Sequence, residues 1–167
     1  MIADPEVYQL FIECHRRYRY ENGVLVYKVR VNSQANAGDL VGSYDGEGYL
    51  QTRINNARHG NHRLIFLMFK GYLPVHIDHR NSKRDDNRIE NLRPATVAQN
   101  NQNVSITSRN KSGFKGVYWH SKSNSWYAQI RNQNKRVHVG IFDNPLDAHM
   151  AACRARDAIH GEFANHG

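Results

Sequence analysis

VHIDHRNSKRDDNRIENLRPATVAQNNQN, residues 75–103, runs from a short apolar-alternating segment through a polar stretch to a capped helix. Val75 to His79 has strand character, and residues 80–90 are too polar and turn-rich for either regular element. Asn91-Leu92-Arg93 reads as a second short strand. After Pro94, Thr96 and Gln99 stand at capping-box spacing, which predicts a helix over 97–103. A strand, a loop, a strand and a helix thus follow one another within about thirty residues, a compact unit.

The residue types in this unit suit phosphodiester hydrolysis. Asp78 and Asn100 offer hard oxygen donors of the kind that hold Mg²⁺ or Mn²⁺ with several waters still bound. The imidazole of His79 has the proton affinity to take a proton from water at neutral pH. Neighbours on a strand point to opposite sides, so Asp78 and His79 are expected to flank a phosphate at the strand end. An Asp-His pair alone is ordinarily structural, and so is an Asn before a Leu. The full set of Asp78, His79, Asn91 and Asn100 at this spacing is what gives the stretch its chemical meaning.

Upstream, Asp4-Pro5 predicts a helix start, with Val7, Leu10, Phe11 and Cys14 on one face. Residues 24–31 and 49–54 alternate as strands, and 61–70 (NHRLIFLMFK) reads as a mostly buried helix stopped by Gly71. Downstream, 105–112 is expected to be a linker. Three strands follow at 115–120, 126–132 and 136–142, with a tight turn at Asn132-Gln133-Asn134. A last helix opens at Asp143-Asn144-Pro145, carries Leu146, Met150, Cys153 and Asp157 as a stripe, and ends at Gly161. The fold class is α+β.

Residues 41–104 resemble the HNH (His-Asn-His) endonucleases of phages and mobile elements, through Gly48-Tyr49, His62-Arg63-Leu64 and the stretch 77–103; residues 6–43 are similar to that family's N-terminal lead-in. The resemblance implies a ββα-metal fold, two strands, a loop and a helix around one divalent cation. It assigns His79 as the general base and Asn91 as the residue that braces the loop and orients that base. Asp78 and Asn100 become the metal ligands. Many members have His where this chain has Asn100, and the all-oxygen pair favours Mg²⁺ or Mn²⁺ over Zn²⁺. The reaction implied is one-metal hydrolysis of DNA, leaving 5′-phosphate and 3′-hydroxyl ends.

Residues 109–166 resemble the Apetala-type (ethylene-response-factor) DNA-binding domain, through GFKGVYWHSKSNSWYAQIRNQNKRVHVGIFDNPLDAHMAACRARDAIHGEFANH. That domain is a three-stranded antiparallel sheet packed on one helix, with the sheet in the DNA major groove. By position, Lys115, Tyr118, His120, Gln129, Arg131, Arg136 and His138 become the DNA-contacting residues. Tyr118, His120 and His138 depart from the plant domains, so the plant target sequence is not implied. The expected plan is a nuclease domain over 1–104 with its catalytic unit at about 72–104, the linker 105–112, and a reader over 113–167.

Charge agrees with a nucleic-acid partner. The 167 residues carry a formal +8, and the segment 105–142 has seven Lys or Arg and no Asp or Glu. A run of that length without carboxylates, interleaved with strand-forming aromatics, is more than a solvated face. Leu64 to Phe69 is far too short to cross a bilayer, and residues 1–5 lack the features of a secretory leader. Two distant cysteines, Cys14 and Cys153, suggest a reducing cytoplasm, that of the host cell for a phage-encoded protein. The expected partner is double-stranded DNA, met as a monomer or a DNA-induced dimer. The rival expectation is a non-catalytic DNA-binding regulator that retains a nuclease fold.

Overall fold

The computed structural model describes residues 2, 4–33, 35–133 and 135–167. The chain divides into two compact units, residues 1–94 and 95–167.

The first unit begins with α1 (Pro5–Arg17), whose free N–H groups are met by the Asp4 carboxylate, accepting from Glu6 N and Val7 N. Two strands follow as a hairpin, β1 (Tyr18–Glu21) and β2 (Val24–Tyr27), antiparallel with Tyr18 opposite Tyr27. Its turn needs two positive φ values in succession, which Asn22 (φ 45°) and Gly23 (φ 95°) supply. The strand expected over 24–31 stops at Tyr27, and its partner is YRYE, where Tyr18 and Tyr20 turn inward and alternate with exposed Arg19 and Glu21.

A three-stranded sheet comes next, in the order β3 (Ser43–Tyr44), β4 (Leu50–Ile54) and β5 (Ala57–Gly60). From it the chain enters α2 (Asn61–Lys70), closed by left-handed Gly71 (φ 70°), which donates its N–H to Leu67 O. Leu64, Ile65, Phe66 and Leu67 are all buried. Leu64, Ile65 and Phe66 form the core of this unit with Cys14, Tyr18, Leu25, Val41, Ile54, Ile77 and Leu92. Each such side chain contributes about 1.5–3 kcal/mol by burial. Burial also pushes the Cys14 thiol up to about 12, so it serves as a small apolar residue.

Against this core lies the segment expected to be catalytic. β6 (His76–His79) pairs with β7 (Leu92–Ala95), and a 3₁₀ turn at Ile89–Asn91 leads into the second of them.

In the second unit, the capping box at Thr96 and Gln99 starts α3 (Val97–Gln102). An antiparallel sheet follows in the order β10 (Lys135–Phe142), β9 (Ser125–Asn132) and β8 (Val117–His120). One residue of the expected β9–β10 turn, Asn134, lies outside the described residues. The last helix, α4 (Pro145–His160), turns small Ala148, Ala152 and Ala155 toward Val117, Ala128, Ile130 and Phe142. Leu146 and Met150, from the expected stripe, are exposed. Alanines let the helix sit close to the sheet, and longer side chains at those positions would hold it off. Lys115 Nζ donates to Gln102 O, and Asn165 Nδ2 to Asn103 O. These bonds fasten the end of α3 to the body of the unit.

Gly116 shows why β8 begins later than position 115. Its φ is +75°, and a Cβ there would collide with Gln129 O and lie 2.8 Å from Arg156 Nη2. Gly116→Ala is expected to destabilise the second unit by about 1–3 kcal/mol, read from urea unfolding. An unchanged midpoint would mean that the backbone relaxes at no cost.

Candidate active site and nucleic-acid interface

Asp78 and His79 are adjacent on β6, and both are almost fully buried, at 4% and 5% exposed. The Asp78 Oδ2 accepts two charge-assisted hydrogen bonds from Arg93 on β7, from Nε at 2.8 Å and Nη2 at 2.7 Å. Buried charges persist when they are paired in this way. His79 keeps different company. Its Nε2 lies 2.9 Å from Asn87 Oδ1, and the rings of His62 and Tyr49 stand 5.2 and 6.0 Å from it. With the amide oxygen of Asn87 as acceptor, Nε2 carries the proton and Nδ1 is the basic nitrogen. Burial lowers the pKa of His79, against the raising effects of Asn87 and of the Asp78, Asp86 and Asp85 charges. A neutral imidazole at neutral pH is the form a general base requires.

Asn91 sits at the mouth of the 80–90 loop. Its Nδ2 donates to Asp86 O at 2.7 Å and to Asn81 Oδ1 at 3.0 Å, while its Oδ1 accepts from Asn81 N at 3.1 Å. Its backbone carbonyl accepts from Arg80 N at 2.9 Å. Within the closed loop, Arg88 and Asn81 donate to the Asp86 carboxylate and hold its pKa well below the usual carboxylate range. Asn87 projects from this same loop to His79. Asn91 thus closes the loop from which Asn87 reaches the imidazole.

Asn100 is an exposed residue of α3, with its N–H bonded to Thr96 O, and belongs to the second unit. Among the described residues, no group of three or more His, Cys, Asp or Glu side chains is placed to hold a metal ion. The carboxylate of Asp78 and the side-chain amide oxygen of Asn100 are hard donors of the kind that suit Mg²⁺ and Mn²⁺.

His62 is a second imidazole beside His79, their ring centroids 5.2 Å apart. Its Nδ1 is buried and has no hydrogen-bond partner among the described residues. Burial, with the nearby charges of His79 and Arg63, pushes its pKa down to about 3. Below about pH 6.5 the unfolded chain binds a proton at this site that the folded chain refuses. Stability from this residue is therefore complete above that pH and is lost as pH falls toward about 3. The expected slope is at most about 1.4 kcal/mol per pH unit. Urea unfolding of wild type and His62→Gln between about pH 7.5 and about pH 5 checks it, since the variant should lose less stability across that range.

In the second unit, the strand register gathers six of the seven expected DNA contacts. Tyr118 and His120 project from β8, Gln129 and Arg131 from β9, and Arg136 and His138 from β10. Arg131 lies opposite Arg136, and Gln129 opposite His138. These positions alternate with the helix-facing Ala128 and Ile130, so they share the outer face of the sheet. Tyr127 joins them: its ring stacks on Tyr118 at 5.3 Å and meets His120 edge-on at 6.1 Å. Trp126 packs toward the core.

Lys115 does not join this face. It precedes β8, and its Nζ donates to Gln102 O at 3.1 Å and Asn165 O at 2.9 Å. Burial and the charge of Arg156 push its pKa down to about 8.

Asn87, Arg93 and Tyr127 were not singled out by the sequence. Tyr127 had an available signal, since it stands two residues before Gln129 and so on the same face.

Two family models match the chain. Residues 59–102 match one described as HNH endonuclease, and residues 112–162 match one described as AP2 domain. Among curated proteins, "Protein 3.8" of Escherichia phage T7 is 30% identical over 95 residues, which span 57% of this chain and 75% of the phage protein.

Proposed function

The chain belongs to the HNH endonuclease family and carries an AP2 domain after the nuclease segment, and from that premise we propose that it is a metal-dependent DNA endonuclease guided by its C-terminal sheet. The observation that carries this reading is the buried Asp78-His79 pair, with the imidazole held by Asn87 and the loop closed by Asn91.

His79 takes the proton of the attacking water on Nδ1 as the oxygen bonds to phosphorus. The bond to the 3′ oxygen breaks, and that oxygen leaves as a 3′-hydroxyl after protonation by solvent. Asn87 holds the imidazole in the required tautomer, and Arg93 fixes the Asp78 carboxylate in place. Asp78 and Asn100 would hold one Mg²⁺ or Mn²⁺, following their positions in the family's motif. When bound, that ion supplies positive charge to the phosphoryl group and to the departing oxygen. Residues 1–104 serve cutting and 113–167 serve reading, with 105–112 between them.

On the reading face, Arg131 and Arg136 suit guanine edges or phosphates, and Gln129 suits adenine. Tyr118, His120 and His138 complete the contact surface. Among the described residues no helix is long and apolar enough to cross a membrane. A phage protein working on DNA in the host cytoplasm, as a monomer or as a dimer formed on DNA, accords with these features and with the phage relative.

The test is cleavage of supercoiled plasmid. Mg²⁺ or Mn²⁺ is expected to give nicked or linear product with 5′-phosphate ends, and EDTA to abolish it. Retention of DNA without cutting in either metal would make the chain a DNA-binding regulator.

A further inference from the structure

At the edge of β9 beyond the end of β8 there is a cavity of about 230 Å³. Lys115, Arg131, Arg136, Arg156 and His160 line it, and among the described residues no carboxylate does. Arg156 is 2% exposed, and its hydrogen bonds run to the Lys115 carbonyl and weakly to Cys153 Sγ. Lys115 likewise spends its ammonium group on two backbone carbonyls. His160 donates through Nε2 to Arg131 O, and its buried Nδ1 has no hydrogen-bond partner among the described residues. Carbonyl caps satisfy hydrogen bonds without neutralising charge, so buried Arg156 and half-buried Lys115 stand side by side with no carboxylate bonded to either among the described residues. The depressed pKa of Lys115 reports the cost. A bound anion removes it.

We propose that this cavity binds a phosphate group, supplied by the backbone of the DNA that crosses the sheet. Arg131, Arg136, Gln129 and Tyr118 line the cavity and also belong to the outer face. A strand lying on that face therefore passes the cavity mouth. The anion accepts from the Lys115 ammonium and the spare Arg156 N–H groups, with Arg131 and Arg136 at the rim. Gly116 lets Arg156 approach, because a Cβ there would lie 2.8 Å from Nη2. Lys115, which the strand register does not place on the reading face, thereby acquires a role as a phosphate clamp. The DNA part of this assignment rests on the function proposed above, and the anion site does not.

The experiment uses the full chain in two arms. Inorganic phosphate is titrated at constant ionic strength against chloride, and the amide signals of Gly116 and Arg131 are followed by NMR. Separately, a duplex of roughly 30 base pairs is bound at several salt concentrations, with wild type, Lys115→Gln and Lys115→Arg. Phosphate is expected to move both amides in wild type and neither in Lys115→Gln, with signals of the first unit confirming that the variant is folded. Lys115→Gln should bind any duplex about tenfold more weakly, with a salt slope reduced by about one, and Lys115→Arg should recover most of both.

Unmoved amides together with an unchanged salt slope would overturn the proposal. Phosphate binding with an unchanged duplex slope would overturn the DNA source and leave a site for a free phosphate or nucleotide. If wild type fails to retain duplex while phosphate still binds, the DNA-reading function falls and the anion site stands.

Discussion

His79→Ala should cut plasmid about 10²–10⁴-fold more slowly than wild type under saturating Mg²⁺ while retaining DNA equally well. The size follows from what a positioned base supplies: removal of a water proton in step with attack on phosphorus. Electrostatic stabilisation and substrate positioning persist without it, so a residual rate is expected. Retention of binding follows from where the contacts lie, since Tyr118, His120, Gln129, Arg131, Arg136 and His138 all belong to the second unit. Single-turnover cleavage and a filter or gel-shift assay on the same preparations read the two quantities apart. A variant that cuts within a factor of about three of wild type would remove His79 from the chemistry.

Arg93→Met is expected to destabilise the first unit by about 3–5 kcal/mol. The Arg93 and Asp78 side chains are 5% and 4% exposed, and the two nitrogens that reach Oδ2 are lost together. The carboxylate is then left in the interior without its counter-charge, which costs far more than the pair itself contributes. The double variant Asp78→Asn, Arg93→Met isolates that cause, because it removes the orphaned charge and should recover most of the loss. Urea unfolding of the two singles, the double and wild type completes the cycle. Equal losses in Arg93→Met and the double would trace the effect to packing of the arginine stem rather than to charge.

Periodic segments were legible from residues alone. The helix over 61–70 and the three C-terminal strands carry enough consecutive apolar or alternating positions to announce their type. YRYE alternates tyrosine with charge but over four residues only, and SY and ARHG carry no such pattern, because β3 and β5 are strands through their neighbours rather than their own side chains. At the candidate site, Asp78, His79, Asn91 and Asn100 stand out as a set, the first three in the first unit and Asn100 on α3 of the second. Asn87 and Arg93 do not, since a polar residue in a loop or on a short strand acquires a partner only when the chain closes on itself. The resemblance puts Lys115 with the reading residues by its place at the start of the first strand. The positive φ of Gly116 interrupts the strand there, and the side chain leaves the face.

The fastening of α3 to the sheet unit has a consequence for recombination. Lys115 holds Gln102 O and Asn165 holds Asn103 O, so a crossover falling between residues 104 and 113 would leave donors and acceptors behind on both products. A crossover at Pro94/Ala95 keeps those bonds within one piece. The exchangeable module is therefore longer than the reader itself. A gene that acquires a new DNA address by such an exchange inherits α3 with it, and with α3 the identity of residue 100.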